Sequence, residues 1–443
     1  MKRKPAGQLW LSFGNEGRRP NPGTGDENPV VEAQTMEQIV EWSNMEAALR
    51  QVVANQGSPG IDGMTVKELR LYLREHWEEI RERLLSGQYQ PQPVLRVEIE
   101  KLGGGWRSLG IPVVLDRFVQ QMVLQVLQGE WDRTFSDRSY GFRPARSAHQ
   151  AIRRAQDYLE AGYEWLVDLD LEKFFDRVNW RKLMVEVRKR VQDERVVQLI
   201  ERFLRAGVLE DGAIHERTEG TPQGGPLSPL LANLILDELD RELEDRGLRF
   251  VRYADDCNIY VRSRRAGRRV KASVTRFLSA RLKLTVNEAK SAVARPWERK
   301  FLGFTFTWKR KRAVSPQSMD RMKERVREVT GRTRGRSLRQ IVGELRQYLT
   351  GWKAYFGYAE IRSKFREADS WIRRKLRCYV WKQWGRGRYR ALVRRGVSRD
   401  LAWNTAKSAH GPWRISRSPA LSIALPGKCF DHMGLPRLCA NAK

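Results

Sequence analysis

The sequence predicts an α+β fold to about residue 308, an all-α region beyond it, and a small basic C-terminal segment. Three observations predict this. Alternating strand residues flank a glycine-rich turn within 94–112; two short apolar segments, 165–171 and 250–261, read as strands with carboxylates at their ends; and past Trp308 the composition changes to long helical segments dense in Arg and Trp. With 443 residues, 41% of them hydrophobic, the chain is long enough for about three domains with real cores.

Residues 1–35 are rich in Gly, Pro, Asn and charge, with Pro20-Asn21-Pro22-Gly23 in the middle. They bury too little apolar surface to order themselves, so a flexible tail is expected. Over 36–53 the positions of Ile39, Val40, Met45, Ala48, Leu49, Val52 and Val53 fit one helix, ended by the glycine-rich loop 55–63. The hairpin of 94–112 turns on Lys101-Leu102-Gly103-Gly104-Gly105-Trp106-Arg107, and a glycine turn flanked by Lys and Arg can close two cations on a triphosphate. Leu231, Ile235, Leu239 and Leu243 recur every four positions, the stripe of a helix packed on a sheet. Gln223 precedes that helix, beside Gly224 and Gly225, which permit close backbone approach. In 337–360, Leu338, Ile341, Val342, Leu345, Tyr348, Leu349, Trp352, Tyr355 and Phe356 follow helical spacing, so these aromatics are expected first in a core.

The chain carries 83 Lys and Arg against 53 Asp and Glu, a net charge of +30 and a pI near 10.4, which points to a polyanionic partner or an acidic membrane surface. No apolar run approaches the roughly 20 residues that span a bilayer, and no hydrophobic signal core follows Met1-Lys2-Arg3-Lys4. A nucleic-acid partner in the cytoplasm, without membrane association, is the better reading. Residues 371–395 contain ten basic side chains and no acidic one, with Trp381, Trp384 and Tyr389 among them, so phosphate binding is expected there, with Arg386, Arg388 and Arg390 as candidates. Cys257, Cys378, Cys429 and Cys439 form no Cys-x-x-Cys pair, which argues for a reduced protein without a zinc ribbon; Cys429, His432 and Cys439 lack an evident fourth ligand.

The chemistry is concentrated in Asp170, after the first carboxylate-bearing strand, and in Asp255 and Asp256, in the turn between two others. Carboxylates converging from separate strands repel one another unless divalent cations neutralise them. Two such ions activate a 3′-hydroxyl and stabilise departing pyrophosphate, the chemistry of nucleotide addition.

These residues resemble the bacterial group II intron-encoded reverse transcriptases with maturase activity, closest in layout to the compact IIC type. Tyr253-Ala254-Asp255-Asp256 looks like the family's catalytic tetrapeptide and Asp170-Leu171-Glu172-Lys173-Phe174-Phe175-Asp176 like its first metal-binding box. Thr221-Pro222-Gln223-Gly224-Gly225-Pro226-Leu227-Ser228-Pro229, Phe301-Leu302-Gly303-Phe304 and Gly351-Trp352-Lys353-Ala354-Tyr355-Phe356 are similar to later boxes, in family order. The resemblance implies a right-hand polymerase: fingers and palm over 36–308, a helical thumb or maturase domain over 309–385, and a basic DNA- or RNA-binding region over 386–443. It implies two magnesium ions, with manganese a possible substitute, held by Asp170, Asp255 and the Leu171 carbonyl, with Asp256 in support. It implies that Lys101, Arg107, Phe175 and Gln223 bind the incoming nucleotide. Phe175 would be the bulky ring beneath the sugar, and Glu100 and Leu102 stand where the family usually has prolines beside the Lys. Asn55 and Gly60 lie in a loop resembling one that covers the template, and Arg143 and Tyr253 complete the template, primer and RNA contacts.

The expected partners are intron RNA and RNA template, DNA primer and target DNA, and deoxynucleoside triphosphates, with no protein partner evident. The expected setting is bacterial cytoplasm, nucleoid-associated during action on DNA, with no C-terminal endonuclease. Two other readings compete: a purely structural RNA-binding splicing factor, disfavoured because all three carboxylates are present, and a reverse transcriptase recruited to CRISPR adaptation or phage defence.

Overall fold

The computed structural model describes residues 34–100, 106–331 and 334–439, so the expected tail, apart from Gln34 and Thr35, and Lys101 lie outside it. The chain divides into two compact units. One is drawn from Met1–Ser147, Val167–Ile259 and Arg265–Val293, the other from Ala148–Leu166, Tyr260–Arg264 and Ala294–Lys443.

The single helix expected over 36–53 is two, α1 (Met36–Ile39) and α2 (Trp42–Asn55). Thr35 and Gln38 form a capping box at the start of α1, and Asn44 Nδ2 donates to the Ile39 carbonyl at 2.7 Å, which turns the chain at residues 40–41 although the apolar pattern runs through them. Gln56, at φ 47°, ends α2 as expected. After α3 (Leu69–Leu85), β1 (Val94–Glu100) and β2 (Trp106–Ile111) form the expected antiparallel hairpin, with Glu100 opposite Trp106.

In chain order there follow α4 (Val114–Thr134), α5 (Ala148–Glu160), β3 (Trp165–Leu169), α6 (Trp180–Arg190), α7 (Glu194–Arg205), β4 (Val208–Glu210), β5 (Ala213–His215), α8 (Ser228–Asp245), β6 (Arg249–Tyr253), β7 (Asp256–Val261), α9 (Arg264–Phe277) and β8 (Ala292–Ala294). One four-stranded sheet has the order β2-β1-β4-β5, and a second, which carries the site, β6-β7-β3-β8. Leu231, Ile235, Leu239 and Leu243 of α8 are all buried, as the four-residue stripe predicts. Leu230, Leu234 and Leu236 are buried too, so α8 is enclosed nearly all round rather than lying on a surface.

The second unit contains α5, the hairpin β9 (Phe304–Phe306) and β10 (Arg312–Val314), then α10 (Pro316–Val329), α11 (Leu338–Phe356) and α12 (Ser363–Gln383). Ser337 and Gln340 cap α11 reciprocally. Trp352 is buried there, and the half-buried Tyr355 and Phe356 pack on Phe304 with ring centroids 5.5 and 5.3 Å away. Gly303, at φ 81°, lies beneath the Phe356 ring, and Tyr355 Oη donates to the Leu302 carbonyl at 2.9 Å. The 301–304 and 351–356 boxes are thus one packing unit. Short helices α13 (Arg388–Val393), α14 (Arg399–Lys407), α15 (Pro412–Ile415), α16 (Pro419–Ala424) and α17 (Gly427–His432) complete the chain. Arg373 ties α17 to α12 through Asp431, and Asp369 accepts the Leu438 and Cys439 amides at 3.0 and 2.9 Å. Among the described residues no helix is long and apolar enough to cross a membrane.

Candidate active site

β3 lies beside β7 in the second sheet, and β7 beside β6, so Asp170 follows one strand, Asp255 lies in the turn joining the other two, and Asp256 opens β7. The Cys257 thiol, pushed up chiefly by burial and next by Asp240, also feels Asp168 and Asp256. Asp255 is half-buried and Asp256 exposed. The Asp170 side chain is 34% exposed, with Lys290 Nζ 4.0 Å from its Oδ1.

The segment after β3 is fixed by its backbone. Glu172 N–H donates to the Thr285 carbonyl and Asn287 N–H to the Asp170 carbonyl, each at 2.8 Å, around the bridge between Leu171 and Val286. Both bonds use the neighbours of Leu171, so its own carbonyl stands off that ladder. The Asp170 amide donates to Ser291 Oγ at 2.9 Å.

The turn between β6 and β7 rests on a buried polar network that the sequence reading did not anticipate. Ala254 has φ 56°, sparsely populated for a non-glycine residue. Arg252 Nη1 donates to the Ala254 carbonyl at 2.9 Å and to Asn233 Oδ1 at 3.0 Å, while its Nε and Nη2 reach Asp240 at 2.8 and 2.5 Å. Both members of that ion pair are fully buried. Burial pushes the Asp240 carboxyl above its usual range even against the guanidinium. Asn233 Nδ2 also donates to the Gly141 carbonyl, and Gly141 lies so close under the Ala254 amide that a Cβ there has no room. One signal was available: an arginine inside the apolar run Phe250-Val251-Arg252-Tyr253 needs a buried partner. Burial also raises the Tyr253 phenol.

The expected nucleotide-binding segments are joined by hydrogen bonds. Gly110 N–H of β2 donates to the Gln223 carbonyl at 3.0 Å, and Thr221 N–H donates to the Phe175 carbonyl at 2.6 Å. Gly220, at φ 84°, lies against the Phe175 and Asp176 carbonyls, where an added Cβ would stand 2.9 and 2.6 Å from the two oxygens. This links β2, which carries Arg107 opposite Ile99, to the Gln223 loop and the Phe175 turn; Gln223 and Phe175 are half-buried. The close approach expected of Gly224 and Gly225 is made to the protein itself. Gly224 packs on the Gly110 carbonyl and Gly225 on the Gln120 amide.

Other candidates depart from expectation. Arg143 is buried rather than facing RNA, because its guanidinium is consumed by Asp132 Oδ1 at 2.7 Å and by the carbonyls of Asp132, Ser136 and Ser139. It braces its own loop. Gly60 packs on the backbone before α4, where an added Cβ would come 2.6 Å from Val113 Cα, and Asn55 is exposed at the end of α2. In 371–395, Arg373 is buried in its ion pairs, Arg374 stacks 3.6 Å from the Trp413 ring centroid, and Arg377 donates to the Leu425 carbonyl. Trp381 is a core residue rather than a stacking platform, and Arg388 lies over it at 4.9 Å. Arg386 and Arg390 are exposed.

Among the described residues no three acidic, histidine or cysteine side chains gather into a metal cage. Magnesium does not need one. It is held by one or two carboxylates, with waters and substrate phosphates filling the octahedron. Hard oxygen donors that are partly exposed, as Asp170 and Asp255 are, suit it.

Carboxylates at the ends of neighbouring strands on a mixed α/β domain, followed in the chain by a basic helical region, are the arrangement expected of a nucleic-acid polymerase. Residues 99–306 match the family "Reverse transcriptase (RNA-dependent DNA polymerase)" and residues 319–396 "Group II intron, maturase-specific domain". The chain belongs to the group II intron-encoded reverse transcriptase/maturase family, and its fold class is the expected right-hand polymerase with a helical thumb. It is 40% identical over 214 residues to "Protein YkfC" of Escherichia coli (strain K12), which covers 47% of this chain and 56% of that one. It is 38% identical over 182 residues to "Group II intron-encoded protein LtrA" of Lactococcus lactis subsp. cremoris, covering 41% of this chain and 30% of that one. The alignments thus span less than two thirds of either relative. A solved chain of a "Partial Cas6-RT-Cas1--Cas2 complex" aligns over 55% of this chain and 42% of that one at 25% identity, with a TM-score of 0.36.

Proposed function

We propose that this protein is an RNA-directed DNA polymerase that also binds the RNA of its own group II intron, assisting splicing and retrohoming. The observation that carries the polymerase reading is that Asp170, Asp255 and Asp256 stand at the ends of neighbouring strands. In this reading Asp170, Asp255 and the Leu171 carbonyl hold magnesium, or manganese in its place. When bound, the ions supply an activated 3′-hydroxyl and neutralise the charge that grows on the leaving pyrophosphate. The primer 3′-oxygen attacks the α-phosphate, and the bond from that phosphorus to the bridging oxygen of the pyrophosphate breaks. Lys101 and Arg107 hold the triphosphate, Gln223 and Phe175 seat the nucleotide, and Tyr253 packs near the primer end. We assign fingers and palm to 36–308, the thumb to 309–385 and a nucleic-acid-binding region to 386–443. The setting is the bacterial cytoplasm. Primer extension on an RNA template, run beside a splicing assay with the RNA flanking the gene, tests both activities; no extension with magnesium or manganese present removes the polymerase.

Phe175 is expected to exclude ribonucleotides by contact with the 2′-hydroxyl. Phe175→Ala then raises ribonucleotide incorporation relative to deoxynucleotide by an amount equivalent to about 1–3 kcal/mol, the range of pocket-size discrimination. Because the Phe175 backbone is held by Thr221, the substitution empties the site without releasing the turn. Equal loss of both incorporations assigns Phe175 to packing.

The basic segment gives a second expected result. Arg388 is partly engaged with Trp381, whereas Arg386 and Arg390 are exposed, so the test pairs the latter two. Replacing both with Gln lowers the slope of log affinity against log salt for folded intron RNA by about 1.4 to 1.8, since each phosphate contact contributes about 0.7 to 0.9. An unchanged slope places both side chains in solvent.

A further inference from the structure

From residue 257 to 287 the chain has nine Lys and Arg and no Asp or Glu, a second acid-free run that covers α9. At 100° per residue, Arg265, Arg268, Arg269, Ala272 and Arg276 fall within one arc of about 100°, while Gly267 and Val274, the buried residues of the helix, lie on the opposite side. Arg265, Arg268, Arg269 and Arg276 are exposed and, among the described residues, make no ion pair or hydrogen bond.

Two neighbouring cations are compensated. Lys271 is bound by Glu288 Oε2 at 2.5 Å, and Arg246 by Glu242 and Ser273. The four arginines are an accumulation of uncompensated charge along about 16 Å of helix, not the ordinary mixed-sign face of a solvated helix. Like charges three and four residues apart repel, so the pattern disfavours the isolated helix and gains only from an anionic partner.

We infer that this face of α9 is a docking surface for the phosphate backbone of double-stranded RNA. It lies on a different element from the carboxylates and from the basic segment around Arg386. Three features select the occupant. The face carries no aromatic side chain on which an unpaired base could stack, which disfavours single strands. Its charged groups are all guanidiniums, whose planar forks match phosphate oxygens two at a time. It also carries no apolar side chain larger than the Ala272 methyl, where a membrane-binding helix would present Trp, Phe or Leu beside its cations. The choice of RNA over DNA rests on the proposed function.

The test replaces Arg265, Arg268, Arg269 and Arg276 together by Gln in the full chain. Binding to a long RNA hairpin without primer is titrated across potassium chloride concentrations, beside vesicles of phosphatidylglycerol and phosphatidylcholine. The expected result is a log–log salt slope lower by about three, so that a fourfold rise in salt costs the wild type on the order of fiftyfold more affinity than the variant. The matching Lys variant keeps the slope, because counterion release counts charges. Extension of a short primer-template stays within about twofold of wild type, because the variant leaves the strand-end carboxylates untouched. An unchanged slope overturns the inference, as does loss of vesicle binding with RNA binding intact, which assigns the face to a membrane. If even the wild type fails to extend a primer, the polymerase reading falls while the slope comparison still stands.

Discussion

Asp255→Asn and Asp170→Asn each lower primer extension on an RNA template by several powers of ten while RNA affinity stays near that of wild type. The substitution keeps side-chain shape and removes one formal charge from the ligand set. Metal stabilisation supplies several kcal/mol of the barrier reduction, and each 1.36 kcal/mol is tenfold in rate. Folding is not at risk, because Asp170 is 34% exposed and Asp255 is only half-buried, and substitutions at such positions change stability little. The Asp170 backbone is held by Ser291 and Asn287 through main-chain atoms that the substitution leaves alone. Asp256→Asn has a smaller effect, since that side chain is exposed and placed in support. The measurement is single-turnover extension over a magnesium series, with filter binding of RNA as the control. Extension within tenfold of wild type for either variant removes that residue from the site.

What the sequence made legible followed from strong local rules. The glycine turn of 103–105 between alternating strands predicted the β1–β2 hairpin, the four-residue recurrence of Leu231, Ile235, Leu239 and Leu243 predicted α8, and the apolar runs bounded by carboxylates predicted β3, β6 and β7. What it hid was settled by side-chain and backbone contacts that neither periodicity nor a count of charges encodes. Periodicity runs unbroken through Val40, and only the Asn44 side chain reaching the Ile39 carbonyl reveals the break. Arg143 reads as a surface cation until the carbonyls of Asp132, Ser136 and Ser139 are found to converge on it. Gly224 and Gly225 read as room for a ligand, yet the room is filled by Gly110 and Gln120. A count of charges along 371–395 could not separate Arg373, buried in ion pairs, from Arg386, which is exposed.

Arg252→Met destabilises the protein by about 3–5 kcal/mol and also lowers extension beyond what the lost stability explains. The first effect follows from burial. Asp240, fully enclosed and paired with Arg252, is left as an uncompensated carboxylate, and breaking a buried pair by removing one partner costs that much. The second follows from the turn. Arg252 Nη1 donates to the Ala254 carbonyl, holding the left-handed residue immediately before Asp255, so its loss lets the carboxylates shift. A displacement of about 1 Å at reacting groups costs on the order of a hundredfold in rate. The two effects separate in the double variant Arg252→Met with Asp240→Leu. Replacing both members of a buried pair with apolar residues is often neutral for stability, so its denaturant midpoint recovers toward wild type. Extension does not recover, because no donor remains for the Ala254 carbonyl, and half-saturation by magnesium moves to higher concentration. Recovery of both stability and extension in the double variant makes the pair a packing element, with no part in holding the Ala254-Asp255 turn.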